Sequence, residues 1–279
     1  MPKQYLAGFE IHIATMGPAG AEPVILLHSS GLNGLQWMTL SKTIMHDFNV
    51  HAIDLIGYGQ SPALTPGQSV GYMDDVNVVS EYIHNIMRPV HLVGHSYGGL
   101  LALHIARLNP ELVASLTAFE PVAFRVLETR KDQEALEILQ HGINVEDFAK
   151  LAGKGDHSGW LKKFINWWSG PDAWDKLPDF QKDIFLSVAE KIIAEIKSLM
   201  NDDTPLEGYN SLTMPVYLMA AELSPLPARR TVSYLADYLP SAKYTEFTDM
   251  GHMAPITHSD IINAEVIRFI WKNRVNQSK

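Results

Sequence analysis

Short apolar segments alternate with segments of helical periodicity along most of the chain, and this alternation constrains the fold more than any other feature. Continuous apolar runs of this kind are typical of strands that are covered on both faces. They occupy residues 24–28, 50–55, 89–93, 113–119, 215–219 and 243–247. Between them, apolar residues recur every three or four positions, as at Val79 and Ile83. Strands that alternate with helices predict βαβ crossovers and a mostly parallel sheet.

The alternation stops over residues 122–205, where the pattern is amphipathic and helical without a convincing strand. Four of the six tryptophans lie in this segment: Trp160, Trp167, Trp168 and Trp174. We expect a core formed by 1–121 and 206–279, and a helical cap at 122–205 lying over one end of the sheet. The tryptophans either line a substrate pocket or pack the cap helices against each other, and the sequence leaves both open.

Composition excludes several functional classes. The formal net charge of −9 argues against a nucleic-acid or anionic-membrane surface, because such surfaces need a basic patch. The absence of cysteine excludes disulfides, thiolate metal sites and a cysteine nucleophile. No stretch reaches the roughly 18 apolar residues of a membrane span, and residues 1–10 contain no apolar run typical of a signal peptide. We expect a cytoplasmic protein with a small-molecule substrate, no nucleic-acid partner, no metal and no cofactor; the oligomeric state stays open.

The segment Gly94-His95-Ser96-Tyr97-Gly98 has the pattern G-x-S-x-G between an apolar strand and an apolar helix. In that setting the pattern predicts a sharp strand-to-helix turn that exposes a nucleophilic serine. The glycines allow neighbouring backbone to pack closely, and the start of the helix offers free N–H groups to a developing anion. A merely structural turn is the alternative, but the flanking elements favour Ser96 as a nucleophile.

A serine hydroxyl needs a neighbouring base to accept its proton, and histidine is the usual one. Among the twelve histidines, His252 is the best candidate, because it follows a late strand on a glycine-containing loop and precedes the last helix. This position gives the chain order serine, acid, histidine. His258, just before the last helix, is the local alternative and also fits a surface residue. The ring of His95 is expected to pack within the sheet.

Together these motifs resemble the α/β-hydrolase superfamily, over the whole chain. Residues 28–31, HSSG, are similar to the oxyanion-loop motif of that family, which more often begins with His-Gly. Residues 54–61, DLIGYGQS, are similar to its D-x-x-G-x-G-x-S turn, and residues 251–252 to the loop of its catalytic histidine. The resemblance implies the α/β-hydrolase fold: a mostly parallel eight-stranded sheet flanked by helices, with a helical cap insertion.

The acid that orients the histidine is where this chain departs from the family pattern. The family commonly has an aspartate just after the strand that follows the cap, and Ser224 stands there in this chain. A serine cannot stabilise an imidazolium as a carboxylate does. Glu120 and Glu222 are the two substitutes. We favour Glu120 because α/β sites are built at the carboxyl ends of strands, and because some haloalkane dehalogenases, which resemble this architecture, carry their acid there.

Acyl transfer also requires backbone N–H groups that point at the developing oxyanion. The residue after the nucleophile usually supplies one of them, and here it is Tyr97. The other is expected from the loop after the third strand, where the resemblance favours Ser30 over Ser29. We therefore expect the N–H groups of Ser30 and Tyr97 to form the oxyanion hole.

These residues predict a serine hydrolase that cleaves an ester-like bond of a small to medium, partly apolar substrate through an acyl-enzyme on Ser96. The resemblance also admits a thioesterase, lactonase, carbon–carbon bond hydrolase or cofactor-free haloperoxidase, because a fold alone does not choose among them. Dehalogenases and epoxide hydrolases of this architecture use an aspartate in place of Ser96, so we discount them. The alternative is a hydrolase-like protein with weak or no activity that binds a small ligand, which the serine at position 224 would favour.

Overall fold

Residues 3–65 and 67–275 are described by a computed structural model, in which strands and helices alternate along much of the chain. The strands are β1 Gln4–Leu6, β2 Phe9–Ile11, β3 Ile13–Met16, β4 Glu22–Leu27, β5 Phe48–Ile53, β6 Val90–His95, β7 Val113–Phe119, β8 Val216–Ala221 and β9 Ala242–Phe247. The helices are α1 Met38–Ile44, α2 Tyr72–Ile86, α3 Tyr97–Leu108, α4 Arg125–Arg130, α5 Gln133–Gly142, α6 Val145–Gly153, α7 His157–Ser169, α8 Ala173–Lys176, α9 Asp179–Ser187, α10 Ala189–Leu199, α11 Leu226–Tyr238, α12 Ala254–Thr257 and α13 Ser259–Lys272. Within these described residues, no helix has the length and apolar character needed to cross a membrane.

The main sheet is mostly parallel and has the strand order β3-β5-β4-β6-β7-β8-β9. Strand β3 is antiparallel to β5, and the other neighbours are parallel. The sheet has seven strands instead of the eight expected, because β1 and β2 pair with each other in a separate hairpin. The positive φ angles of Ala7 (46°) and Gly8 (90°) close that hairpin in a two-residue turn.

Both faces of the sheet are covered by helices, which explains the continuous apolar runs of its strands. Along β4, Val24 and Leu26 pack into a core that also contains residues of α1 and α13. The alternate residues Ile25 and Leu27 pack into the opposite core, with residues of α2, α3 and α11. The carboxyl ends of the parallel strands lie together at one edge of the sheet, between the two helix layers.

Seven helices, α4 to α10, occupy the chain between β7 and β8, all of which is described. Polar contacts tie both ends of this helical segment to the core. Near its start, the Asp132 carboxylate accepts a hydrogen bond from the hydroxyl of Tyr234 in α11 at 2.7 Å. Near its end, the Asp202 carboxylate accepts one from the hydroxyl of Tyr72 at 3.0 Å and lies 3.2 Å from Nε2 of His104. Polar contacts near both ends thus fix the segment to helices α2, α3 and α11 of the core.

Candidate active site

Ser96 lies at the tight bend between β6 and α3. Its φ of 55° and ψ of −115° are a strained combination for a residue with a side chain. The bend brings backbone segments into direct contact. A Cβ on Gly94 would overlap the carbonyl group of Gly98, and a Cβ on Gly98 would overlap the carbonyl group of Leu27 in β4. The packing of the bend therefore requires both glycines of the motif.

Ser96, His252 and Glu120 form one hydrogen-bonded line at the carboxyl edge of the sheet. Nε2 of His252 lies 3.0 Å from Oγ of Ser96, and Nδ1 lies 2.6 Å from Oε2 of Glu120. These side chains follow β6, β9 and β7 respectively, and all three residues are buried. When the carboxylate is ionised, Nδ1 must carry the hydrogen, so Nε2 is free to accept the serine proton. The alternative His258 contacts the neighbouring Thr257 instead.

Glu120 is held in place by donors from the next strand. Its Oε1 accepts a hydrogen bond from the N–H of Ala221, and its Oε2 accepts one from the hydroxyl of Ser224, both at 2.8 Å. Ser224 thus stands where the resemblance leads one to expect the acid, and it binds the carboxylate that contacts His252. Glu222 is exposed and accepts a backbone N–H from the loop after β9. Of the two candidate acids, Glu120 is the one that contacts the imidazole.

Burial opposes charge on both members of the acid–base pair. It raises the pKa of Glu120 to about 8, although the N–H of Ala221 and the hydroxyl of Ser224 stabilise the carboxylate. It lowers the pKa of His252 to about 3. Because their contacting atoms are 2.6 Å apart, the two groups titrate as a pair. Base catalysis needs an ionised Glu120 beside a neutral His252, and burial disfavours this net negative state, so it forms at higher pH than for an exposed pair.

The two residues expected to supply the oxyanion hole, Ser30 and Tyr97, follow the adjacent strands β4 and β6. Tyr97 is the first residue of α3, so its N–H has no acceptor within the helix. Ser30 follows β4 and borders the same cavity as Ser96. The N–H of Ser29 already donates to Oε1 of Gln36 at 2.9 Å. This contact favours Ser30 over Ser29 as the second donor.

A cavity of about 130 Å³ opens beside Ser96 and His252. Its walls are mostly apolar, and the helical segment supplies Phe164, Ile165, Trp168, Leu177 and Phe185. Two larger grooves, of about 460 and 830 Å³, contain none of Ser96, His252 and Glu120. The cavity suits an apolar group of modest size whose reacting carbon lies next to the Ser96 hydroxyl.

The four tryptophans of the helical segment divide between the two roles that the sequence left open. The ring of Trp168 stacks on the imidazole of His252, with centroids 3.8 Å apart and planes inclined by 25°. Trp160 and Trp174 are buried and do not border the cavity, and half-buried Trp167 packs edge-on against Trp168. Trp168 therefore contacts the imidazole of His252, while the other three tryptophans of the segment pack helices.

A chain of hydrogen bonds connects the loop after β4 to the loop of His252. The carbonyl group of His252 accepts a hydrogen bond from Nε2 of His95 at 2.9 Å, which fixes the hydrogen on that nitrogen. Nδ1 of His95 then accepts from the side-chain amide of Gln36 at 3.1 Å, and Oε1 of Gln36 accepts from the N–H of Ser29. Burial lowers the pKa of His95 well below its usual value, so the ring stays neutral. The sequence predicts the burial of this ring but not its partners.

A buried ion cluster formed by Asp75, Lys191 and Glu195 lies next to the proposed oxyanion residues. Nζ of Lys191 is 2.7 Å from Oδ2 of Asp75 and 3.3 Å from Oε1 of Glu195. The hydroxyl of Ser30 donates to Oε2 of Glu195 at 2.6 Å, and the hydroxyl of Tyr97 donates to Oδ2 of Asp75 at 2.7 Å. The spacing of Lys191 and Glu195 along one helix is the only local sequence signal for this cluster.

Comparisons with known proteins agree with this architecture. A sequence profile of the alpha/beta hydrolase family matches residues 24–265. The pimeloyl-[acyl-carrier protein] methyl ester esterase of Aliivibrio fischeri is 24% identical over 258 residues, covering 88% of this chain and 93% of the relative. The enol-lactonase from Burkholderia xenovorans superposes with a TM-score of 0.78 at 18% identity, covering 97% and 100% of the two chains. A thermophilic esterase from Thermogutta terrifontis superposes with a TM-score of 0.74 at 16% identity, covering 96% and 95%. At these identities the structural matches show the fold alone.

Proposed function

Because the chain belongs to the alpha/beta hydrolase family, we propose that it is a serine hydrolase that cleaves an ester-like bond through an acyl-enzyme on Ser96. The observation that carries this proposal is the line of contacts from Ser96 Oγ through His252 to Glu120, at 3.0 and 2.6 Å. A nucleophile, a base and an orienting acid in hydrogen-bond reach are what acyl transfer needs. The contact of the Glu120 carboxylate with His252 also weakens the ligand-binding alternative. The main support for that alternative is the missing acid at position 224.

In the first half of the proposed reaction, Oγ of Ser96 attacks the substrate carbonyl carbon while Nε2 of His252 takes the hydroxyl proton. The carbonyl π electrons move to oxygen, where the N–H groups of Ser30 and Tyr97 stabilise the negative charge. Ionised Glu120 stabilises the imidazolium. The intermediate then collapses, the bond to the leaving oxygen breaks, and His252 gives its proton to that oxygen.

In the second half, water clears the acyl-enzyme. Nε2 of His252 removes a proton from the water as its oxygen attacks the acyl carbon. The bond to Oγ of Ser96 breaks, and Ser96 takes back a proton from His252. The products are an alcohol and a carboxylic acid, and the protein returns to its starting state.

The substrate that we propose is small to medium in size and partly apolar. Its apolar group would occupy the cavity of about 130 Å³ that Phe164, Leu177 and Phe185 border. The relative from Aliivibrio fischeri is named as a methyl ester esterase, which supports an oxygen ester with a small alcohol. In this proposal residues 122–205 act as a cap that closes the site above the core of 1–121 and 206–279.

The proposal is tested with a panel of 4-nitrophenyl esters of increasing acyl length, together with a fluorophosphonate probe. We expect hydrolysis that is fastest for short acyl chains, and covalent labelling of Ser96. Ser96→Ala should lower kcat about 10⁴-fold or more and abolish labelling while the protein stays folded by circular dichroism. Folded wild-type protein that neither hydrolyses any ester nor reacts with the probe would favour the ligand-binding alternative.

A further inference from the structure

Both residues that we assign to the oxyanion hole are tied by their side chains to the same buried ion cluster. Ser30 donates its hydroxyl hydrogen to Glu195 at 2.6 Å, and Tyr97 donates its own to Asp75 at 2.7 Å. Lys191 lies between the two carboxylates. A continuous path of hydrogen bonds and ion pairs therefore runs from one proposed donor residue to the other without passing through the sheet.

The cluster is buried deeply enough for its pairing to be necessary. Asp75 and Glu195 are fully buried, and Lys191 is 2% exposed. Although burial opposes it, the two carboxylates hold the pKa of Lys191 above its usual value, so the ammonium group stays charged. The hydroxyl of Tyr58 also donates to Glu195, at 2.9 Å. A buried charge that loses its partner is strongly destabilising, so each member restrains the position of the next.

The cluster joins three separate parts of the fold. Asp75 lies on α2 of the core, Lys191 and Glu195 lie on α10 of the helical segment, and Ser30 lies on the loop after β4. That loop also packs directly against the helical segment. A Cβ on Gly31, whose φ is 78°, would overlap the ring of Phe185 in α9. The helical segment therefore restrains the loop by packing on one residue and by a hydrogen bond on its neighbour.

We propose that the Asp75–Lys191–Glu195 cluster positions the two backbone donors of the oxyanion hole through the hydroxyl groups of Ser30 and Tyr97. Lys191 is then a positioning residue, and this inference rests on the proposed hydrolysis. Donors to an oxyanion act only when they already point at the place where the charge develops. A rigid link between the two residues would hold that geometry before the substrate binds.

The direct test removes the two side-chain hydroxyl groups that bind the cluster and keeps both backbone N–H groups. Ser30→Ala and Tyr97→Phe delete only the hydroxyl groups. For a 4-nitrophenyl ester we expect each to lower kcat roughly tenfold, because small displacements of catalytic groups are costly, and to change KM less than twofold. Tyr234→Phe is the matched control. It deletes a tyrosine hydroxyl that donates to Asp132 at 2.7 Å, outside the site, and should leave kcat unchanged.

A second measurement separates positioning from loss of stability. A trifluoromethyl ketone binds as a hemiketal: Oγ of Ser96 adds to the carbonyl carbon, its proton passes to His252, and the carbonyl oxygen becomes an oxyanion. We expect its Ki to rise in Ser30→Ala and Tyr97→Phe by the same factor by which kcat falls. Thermal unfolding of the same variants gives their stability, and a merely structural role would lower the melting temperature without this correlation.

Lys191→Met tests whether the cluster itself carries the effect. In the Lys191→Met background, Ser30→Ala should reduce kcat by less than twofold, because the bond from Ser30 to Glu195 is then no longer connected to Asp75 and Tyr97. If Lys191→Met does not fold, Ser30→Ala and Tyr97→Phe still test the inference. The inference is overturned if the wild type is active and both deletions keep kcat and Ki within twofold of it. An inactive wild type that the fluorophosphonate probe does not label overturns the proposed function, and this inference with it.

Discussion

The sheet core and the helical segment of residues 122–205 contribute to the candidate site in different ways. The core supplies Ser96 and Glu120, directly after the central strands β6 and β7, and His252, on the loop after the edge strand β9. The helical segment supplies no member of that line. It contributes Trp168, stacked on the base, and Glu195, bonded to the loop after β4. The proposed catalytic groups thus belong to the sheet core, and part of their surroundings belongs to the helical segment.

Four strands of the core and helix α9 of the helical segment also differ in burial. Every residue of β4, β5, β6 and β8 is buried, whereas α9 has no buried residue and exposes Phe180 and Ile184. A segment with few buried contacts tolerates change more easily than a covered strand. We therefore expect substitutions at the strand ends to abolish activity, and substitutions in the helical segment to reduce it by smaller factors.

The largest effect in this comparison is expected from Glu120→Gln. An amide at this position cannot stabilise the imidazolium and favours the wrong tautomer of His252, so kcat should fall about 10³- to 10⁴-fold. Glu222→Gln makes the same change at an exposed residue and should leave kcat within twofold. Steady-state kinetics on one ester measures both. The opposite order of effects would move the acid to Glu222.

An intermediate effect is expected from Trp168→Leu. The indole face lies on the imidazole of His252 and stabilises it when it becomes cationic, which is worth about 0.5–2 kcal/mol. We expect kcat to fall about five- to tenfold, while Trp168→Phe, which keeps a ring face there, retains most of it. Trp167→Leu is the matched control, because that ring does not border the cavity. Equal losses in both leucine variants would mean that packing of α7, and not the stacking, supports the base.

The smallest effect concerns Ser224, whose hydroxyl stabilises the ionised form of Glu120. The carboxylate is the active form, so kcat/KM should fall as the pH drops through the pKa of the pair. Because burial raises the pKa of Glu120 and disfavours the net negative pair, we expect this acidic limb at a higher pH than for an exposed carboxylate–histidine pair. Ser224→Ala removes a donor to the carboxylate and should move the limb upward by about one pH unit. Above the limb its kcat should match the wild type, and Ser224→Thr should keep the wild-type profile. A limb that moves downward would contradict this assignment.

The sequence predicts the parallel part of the fold closely, and its limits have physical causes. The apolar run at 113–119 is β7 as the structure has it. The sheet has seven strands and not the eight that the resemblance implies, because the short strands β1 and β2 pair with each other, and a local pattern does not show which strands pair. Helix α3 begins at Tyr97, ahead of its first leucines, although Gly98 and Gly99 are poor helix formers. Close packing of these glycines against Leu27 and Pro121 is a tertiary contact that local propensity does not show.

Within the site, the sequence is informative where the backbone dictates the position. Ser96 and His252 are predicted from local patterns, and the rule that α/β sites form at strand ends favours Glu120 without excluding Glu222. The contacts of Trp168 and Glu195 do not follow from such rules, because helical periodicity shows which face is apolar but not what that face covers. The hydrogen bond from Ser30 to Glu195 joins residues 165 positions apart, and the local sequence around neither residue predicts it.

The hydrogen bond between Ser224 and Glu120 has an evolutionary consequence. The hydroxyl of Ser224 bonds to the same carboxylate oxygen of Glu120 that contacts His252, so positions 120 and 224 each hold one half of a donor–acceptor pair. A lineage can therefore transfer the acid from one strand to the other by exchanging two side chains, Glu120→Ser and Ser224→Asp, without rebuilding a loop. This chain would then be separated by one double exchange from a family that carries its acid after β8.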